Sequence, residues 1–181
     1  MNYLPRGALG LALIALEWPA SWLRVGLLGE YSFFPLWLGY ILTVDALVLR
    51  RTGTSILNRN ARAFVGMFLL SVPMWWLFEG INHFTQNWHY VGTEDYSSLR
   101  YALVSSWHFS IVIPAVFETA ELVGSVCLVK RLRRGPSAPL SGKLLAWPMV
   151  LGALSLTALV VWPRYAFPVT WLSAFLVLDS A

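Results

Sequence analysis

The chain has 181 residues, of which 57 % are hydrophobic and only 12 % are charged. Soluble domains carry about one quarter charged residues, so this composition excludes an ordinary soluble domain and predicts a protein embedded in lipid. The thirteen basic and nine acidic side chains give a net charge of +4, and the single cysteine, Cys127, excludes a disulfide framework and a cysteine metal cluster.

Apolar stretches of nearly membrane-spanning length follow one another along the chain. A helix needs about 20 apolar residues to cross a hydrocarbon core of about 30 Å. The stretches cover residues 4–19, 31–49, 63–82, 103–129, 144–162 and 165–181. They predict an all-α transmembrane helical bundle of about six spans in one integral membrane domain, 1–181. Arg6 and Glu17 interrupt the first stretch, and the segment from Trp22 to Glu30 is an alternative interfacial helix.

Basic residues predict the orientation of these spans. The loops 50–62 and 130–143 contain nine Lys and Arg residues and no acid, and with Arg6 they hold ten of the thirteen basic residues. Because Lys and Arg are retained on the cytoplasmic side, we expect the N-terminus and both loops in the cytoplasm of a multi-pass protein, in a bacterial inner membrane. The loops are expected to contact anionic lipid and not nucleic acid.

An internal repeat links the second and the sixth stretch. Residues 31–45 and 165–179 agree at six of fifteen positions, including a Tyr, a Trp and the final Asp. This agreement predicts a duplication of helix pairs 1–2 and 5–6, with copies 1–134 and 135–181. The second copy is incomplete, so we expect either a fragment or a family member without its last helix pair. Convergence of apolar composition is the alternative.

Tryptophan is concentrated on the predicted outer side. An interfacial belt of aromatic side chains that anchors the helices is one interpretation. The other is a cavity for a flat or polyene ligand. It rests on five tryptophans that lie deeper than a belt requires: Trp37, Trp75, Trp76, Trp107 and Trp171.

Polar side chains at membrane depth are costly and normally face protein or a wet cavity. An outer layer is predicted at the end of the third span, where Glu79, Asn82 and His83 share a helix face. His108 enters the fourth span at a similar depth. Such groups exchange protons readily, because burial raises the pKa of a Glu and His titrates near neutrality. A hydrated and capped helix end is the alternative.

An inner layer of four acids is predicted near the cytoplasmic side: Asp45, Glu118, Glu121 and Asp179. Four carboxylates that converge in a low dielectric cannot all be ionised, so at least one is expected to be protonated or paired. The alternative is a set of structural ion pairs with basic residues that reach the interface. Their expected partners are Arg50, Arg51 and Lys130.

Three functions fit these patterns. In the first, a hydrophobic isoprenoid, polyene or lipid ligand binds in the aromatic cavity, and Glu118 or Glu79, with His108, supplies acid–base chemistry. The second is a proton-coupled transporter, and the third is a non-catalytic subunit of a larger membrane complex or a homo-oligomer. The polar ligand-binding candidates are Asp45, Asn82, His83, Glu121 and Asp179, joined by the five deep tryptophans. No metal site is predicted, and the sequence identifies no cofactor.

Overall fold

The computed structural model describes residues 3–127, 129, 142–165, 172 and 176. Every regular element in this part of the chain is helical, which confirms the predicted all-α class. The helices are α1 (Tyr3–Trp22), α2 (Gly26–Glu30), α3 (Phe33–Thr52), α4 (Ile56–Arg59), α5 (Ala61–Thr85), α6 (Ser98–Phe109), α7 (Val112–Gly124) and α8 (Gly142–Val161). A 3₁₀ turn, Pro163–Tyr165, follows α8.

Three helical segments are long and apolar enough to cross a membrane: Phe33–Thr52, Ala61–Thr85 and Ser98–Gly124. They correspond to the second, third and fourth predicted spans. The fifth corresponds to α8, whose apolar part, Ala146–Leu159, is shorter. The sixth stretch, with Trp171 and Asp179, lies almost wholly outside the described residues, and so does the repeated segment 165–179. The number of six spans and the duplication therefore stay predictions.

The first and third helices pack with their backbones in direct contact. A Cβ atom added at Gly10 would lie 2.7 Å from the carbonyl oxygen of Gly39 and would also collide with Thr43. Small residues at such positions let two helices approach closely, which is how membrane helices associate by packing. The contact sets the position of α1 along the axis of α3. It thereby determines which polar side chains of the two helices meet.

The fourth predicted span is broken at Ser110 and Ile111, between α6 and α7. In a continuous helix the N–H of Ile113 would donate to the carbonyl of Phe109. Here the hydroxyl of Ser71 stands between them, accepting from Ile113 at 3.1 Å and donating to Phe109 at 2.5 Å. Pro114 has no N–H to offer the carbonyl of Ser110, four residues earlier, so the break falls where helical bonds are already missing.

The described chain divides into two compact units. Among the described residues, the first comprises 3–76, 96–127 and 129, and the second comprises 77–95, 142–165, 172 and 176. The core of the first unit is built from Ile41, Phe64, Ile111 and Ala115. The first unit holds α1 to α4, most of α5, and α6 and α7. The prediction of a single integral membrane domain stays a prediction.

Candidate functional site

Asp45 of α3 is the centre of a buried charged cluster. Its side chain has no exposed surface, and its carboxylate forms an ion pair with Arg6 of α1. The same carboxylate accepts a hydrogen bond from the backbone N–H of Leu57 at 3.1 Å, at the start of α4. The chain reaches that position because α3 ends at Gly53, whose φ of 79° turns the backbone back. Arg6 also donates to the hydroxyl of Ser55 at 3.3 Å.

Glu118 of α7 faces this cluster and is itself fully buried. Neither of its carboxyl oxygens has a hydrogen-bond donor among the described residues. The carboxyl group of Asp45, which is also fully buried, is near enough to interact with it electrostatically.

Glu121 completes the cluster one turn after Glu118. One of its oxygens lies 2.5 Å from the guanidinium of Arg59, and the two side chains are 23 % and 48 % exposed. Such a partly exposed pair contributes about 0–1 kcal/mol. Thus the structure brings together the predicted acids Asp45, Glu118 and Glu121, while Asp179 lies outside the described residues.

For the described residues, the prediction of which basic side chains pair with these acids is wrong. Arg50 and Arg51 are exposed and form no ion pair with them, and Lys130 lies outside the described residues. Arg6 and Arg59 take their place. The reason is geometric, since the Gly10 contact brings α1 to the height of Asp45, and the turn at Gly53 returns α4 towards α3.

An apolar groove of about 900 Å³ lies between α1, α3 and α7 in the first unit. Three tryptophans line it, Trp18 and Trp22 from α1 and Trp37 from α3. Tyr40 and Thr119 also line it, and their hydroxyl groups lie 2.7 Å apart. Aliphatic side chains from all three helices form most of the remainder. The groove is therefore a concave, aromatic and almost entirely apolar surface.

Of the four deep tryptophans that the structure describes, only Trp37 lines this groove. Trp107 stacks on Phe34 with ring centroids 4.9 Å apart, and Trp75 packs 5.8 Å from Phe109. Trp76 donates its indole N–H to the hydroxyl of Ser106 at 2.9 Å. These three side chains pack helices of the first unit against one another, and Trp171 lies outside the described residues.

His108 lies neither in the charged cluster nor in the lining of the groove. Its ring stacks on Trp107, with centroids 5.5 Å apart, and packs 5.3 Å from Phe33. Its Nε2 atom is buried and has no hydrogen-bond partner among the described residues. The imidazole is thus held by aromatic contacts.

The predicted outer layer lies in the second unit, where it folds a loop back on the end of α5. The carboxylate of Glu79 accepts hydrogen bonds from the indole of Trp88 at 3.0 Å and from the phenol of Tyr90 at 2.6 Å. The side chain of Asn82 accepts from the backbone of Asn87 and Trp88 and donates to the carbonyl of Trp88. This arrangement supports the interpretation of a capped helix end.

His83 does not take part in that network. Its side chain is exposed and packs against Phe84, with ring centroids 5.4 Å apart. The shared face of Glu79, Asn82 and His83 therefore does not produce a shared site. In the ranges 3–127 and 142–165, no group of three His, Cys, Asp or Glu side chains is arranged to hold a metal ion.

Several residues of the charged cluster and the groove were not foreseen in the sequence, among them Arg6, Arg59, Tyr40, Thr119 and the groove tryptophans Trp18 and Trp22. Arg6 carried a usable signal, because a charge that interrupts an apolar helix needs a counter-charge. Thr119 lies between the two predicted acids of α7, but its helix face differs from theirs.

A scan against models of protein families found no match, and neither searches of curated proteins nor searches of solved structures found a similar protein.

Proposed function

We propose that this chain is a multi-pass membrane protein whose groove binds an elongated apolar ligand of the isoprenoid, polyene or lipid class. The observation that carries the proposal is the groove between α1, α3 and α7, with three tryptophans in its lining. Sites for small molecules are typically clefts of about 300–1,000 Å³, lined by hydrophobic and aromatic side chains with few polar groups. Flat indole rings suit a planar or conjugated chain.

The geometry supports binding more directly than acid–base chemistry. Glu118 is sealed between α3 and α7 and is not part of the lining of the groove. Glu79 belongs to the folded loop of the second unit, and His108 to an aromatic stack. Catalysis by Glu118, Glu79 or His108 therefore stays a prediction, as does ligand binding by Asp45, Asn82, His83 and Glu121.

The test of the groove uses two valines of nearly equal exposure. Val116 lines the groove and is 59 % exposed, whereas Val65 on α5 is 56 % exposed and lies outside the lining. Val116→Phe fills part of the groove and is expected to weaken the binding of an added polyene about tenfold. Val65→Phe is expected to bind as the unaltered protein does. Equal binding by both variants, or no saturable polyene binding at all, would overturn the proposal.

A second candidate function, proton-coupled transport, is favoured by one observation. The carboxyl groups of Asp45 and Glu118 are buried side by side, and transporters use such intramembrane acids as proton carriers. Proton flux into liposomes that is lost in Glu118→Gln would support this function.

A third candidate, a non-catalytic subunit of a membrane complex or a homo-oligomer, predicts a larger assembly in mild detergent.

The orientation belongs to the same proposal, with the N-terminus and the basic loops 50–62 and 130–143 in the cytoplasm. A protein in which Cys127 is replaced by Ala can carry one new cysteine at Thr52, at the end of α3, or at Val91, in the loop after α5. We expect a membrane-impermeant maleimide to label Val91→Cys in intact cells and Thr52→Cys only after permeabilisation. The reverse pattern contradicts the orientation.

A further inference from the structure

The two hydroxyl groups of the groove have a defined hydrogen-bond direction. The hydroxyl of Thr119 lies 2.6 Å from the carbonyl oxygen of Ala115, one turn earlier on α7. A carbonyl only accepts and a hydroxyl has a single proton, so the proton of Thr119 is committed to Ala115. The hydroxyl of Tyr40 lies 2.7 Å from the same threonine oxygen. Its proton must therefore point at Thr119.

This direction leaves the hydroxyl pair with lone pairs and no free proton. The phenol oxygen of Tyr40 accepts no hydrogen bond in the contacts described, and a hydroxyl oxygen has two acceptor sites. A ligand group that reaches this position is therefore recognised only if it donates a hydrogen bond. An ether, aldehyde or ketone oxygen would face other lone pairs in an apolar setting, where unpaired polar atoms are costly.

Resting on the proposed function, we propose that the groove selects alcohols: its ligand is an isoprenoid or polyene chain whose hydroxyl group donates to the phenol oxygen of Tyr40. The chain lies along the tryptophans of α1 and α3, and the hydroxyl end meets Tyr40 and Thr119. Ser21 of α1 is the remaining hydroxyl in the lining. Its rotation is not restricted by a described hydrogen bond, so it does not discriminate between donors and acceptors.

The test compares two probes that share one chromophore, retinol and retinyl methyl ether. Energy transfer from the groove tryptophans reports the binding of both. Retinol can donate a hydrogen bond, whereas the ether can only accept one. In the unaltered protein we expect retinol to bind about tenfold more tightly than the ether, because only retinol satisfies the acceptor on Tyr40.

Thr119→Val should change this preference in a specific direction. Valine has the shape of threonine but no oxygen, so the proton of Tyr40 is released and becomes available to the ether. We expect the ether to gain affinity until the two probes bind about equally or the ether binds better. The matched control is Thr157→Val on α8, because Thr157 makes the same bond to a carbonyl one turn earlier, at 3.0 Å to Ala153. The Thr157→Val variant should still bind retinol about tenfold more tightly than the ether.

The double variant Tyr40→Phe with Thr119→Val removes both acceptors, whereas Tyr40→Phe alone would free the oxygen of Thr119, which accepts from Tyr40. We expect the double variant to weaken retinol about tenfold and to leave the ether nearly unchanged. If both probes bind the unaltered protein saturably with equal affinity, the groove binds polyenes but the selection of alcohols is wrong. If the preference for retinol persists in Thr119→Val, its origin lies elsewhere and the inference is overturned. If neither probe binds saturably, the proposed function itself fails.

Discussion

The guanidinium of Arg6 on α1 is paired with the carboxylate of Asp45 on α3, and the two side chains are 12 % and 0 % exposed. A buried pair of this kind costs desolvation energy for both charges, so its net contribution is smaller than its Coulomb attraction. Removal of one partner is strongly destabilising, because the other charge stays buried without a counter-charge. The pair joins two helices whose backbones are already in contact.

We expect Arg6→Met to lower the free energy of unfolding by about 3–5 kcal/mol, because Asp45 would keep a buried charge without a counter-charge. The double variant Arg6→Met with Asp45→Asn should recover more than half of that loss, since Asn still accepts from the N–H of Leu57. Titration of the detergent-solubilised protein with SDS measures both. Arg51→Met, at an exposed position, is the control, and an equal loss there contradicts the prediction.

Glu118→Gln is expected to be tolerated, with a change in unfolding free energy below about 1 kcal/mol. The amide N–H₂ of glutamine can donate to the nearby carboxylate of Asp45, which the glutamate does not do as a carboxylate. Glu118→Leu has a similar volume but no donor, and it should be clearly less stable than Glu118→Gln. Equal stability of the Gln and Leu variants would show that no such hydrogen bond exists.

Gly10→Ala is expected to lower the free energy of unfolding by about 1–3 kcal/mol, because the added methyl group meets the backbone of Gly39 at 2.7 Å and the helices must separate. The matched control is Gly66→Ala within α5, where an added Cβ meets nothing within 4 Å. That substitution should be neutral or stabilising by up to about 1 kcal/mol, since Ala favours the helix. Equal effects at both glycines would contradict the close contact of α1 and α3.

Tyr96 offers a prediction on pH. Burial and a hydrogen bond of 2.9 Å to the carboxylate of Glu30 raise the pKa of its phenol above the ordinary value of 10.0. Because the pKa is higher in the folded protein, the contact stabilises the fold fully when the pH is below the ordinary pKa of tyrosine. This stabilisation is lost as the pH rises through the raised pKa of Tyr96. The phenolate absorbance of the unaltered protein minus that of Tyr96→Phe measures the titration.

Glu30→Gln should move the pKa of Tyr96 back towards the ordinary value, because the negative charge near the phenol disappears. Glu94→Gln is the control within the same loop region, since Glu94 is not among the groups that shift Tyr96. A pKa that is unaffected by Glu30→Gln would contradict the hydrogen bond between Tyr96 and Glu30.

The length of the apolar stretches was sufficient to place α3 and α5. The second predicted span, 31–49, corresponds to α3 at Phe33–Thr52, and the third, 63–82, to α5 at Ala61–Thr85. The break at Ser110 was not predicted, because part of its cause is a residue outside the fourth predicted span. Pro114 is visible in the sequence, but Ser71, which occupies the broken bond, is distant along the chain and reaches it only in the folded protein.

The candidate sites show the same limit. Their depth relative to the basic loops placed Glu118 and Glu121 in one layer with Asp45, but it did not reveal that Glu118 is buried without a donor while Glu121 meets Arg59. Ion pairs were expected with the nearest basic residues along the chain. The actual partner of Asp45 is 39 residues away, because a glycine contact between two helices decides the pairing. Local spacing carries no information on that contact.

The hydroxyl of Ser71 has an electrostatic consequence for the broken span. It accepts from the N–H of Ile113 and donates to the carbonyl of Phe109, so its dipole points the same way as the peptide dipoles on either side. Aligned peptide dipoles normally leave partial charges at helix ends, positive at the N-terminus and negative at the C-terminus. At this junction the two opposite partial charges face each other through the hydroxyl and offset one another. Across the interruption at Ser110 and Ile111, α6 and α7 therefore behave electrostatically as a single helix.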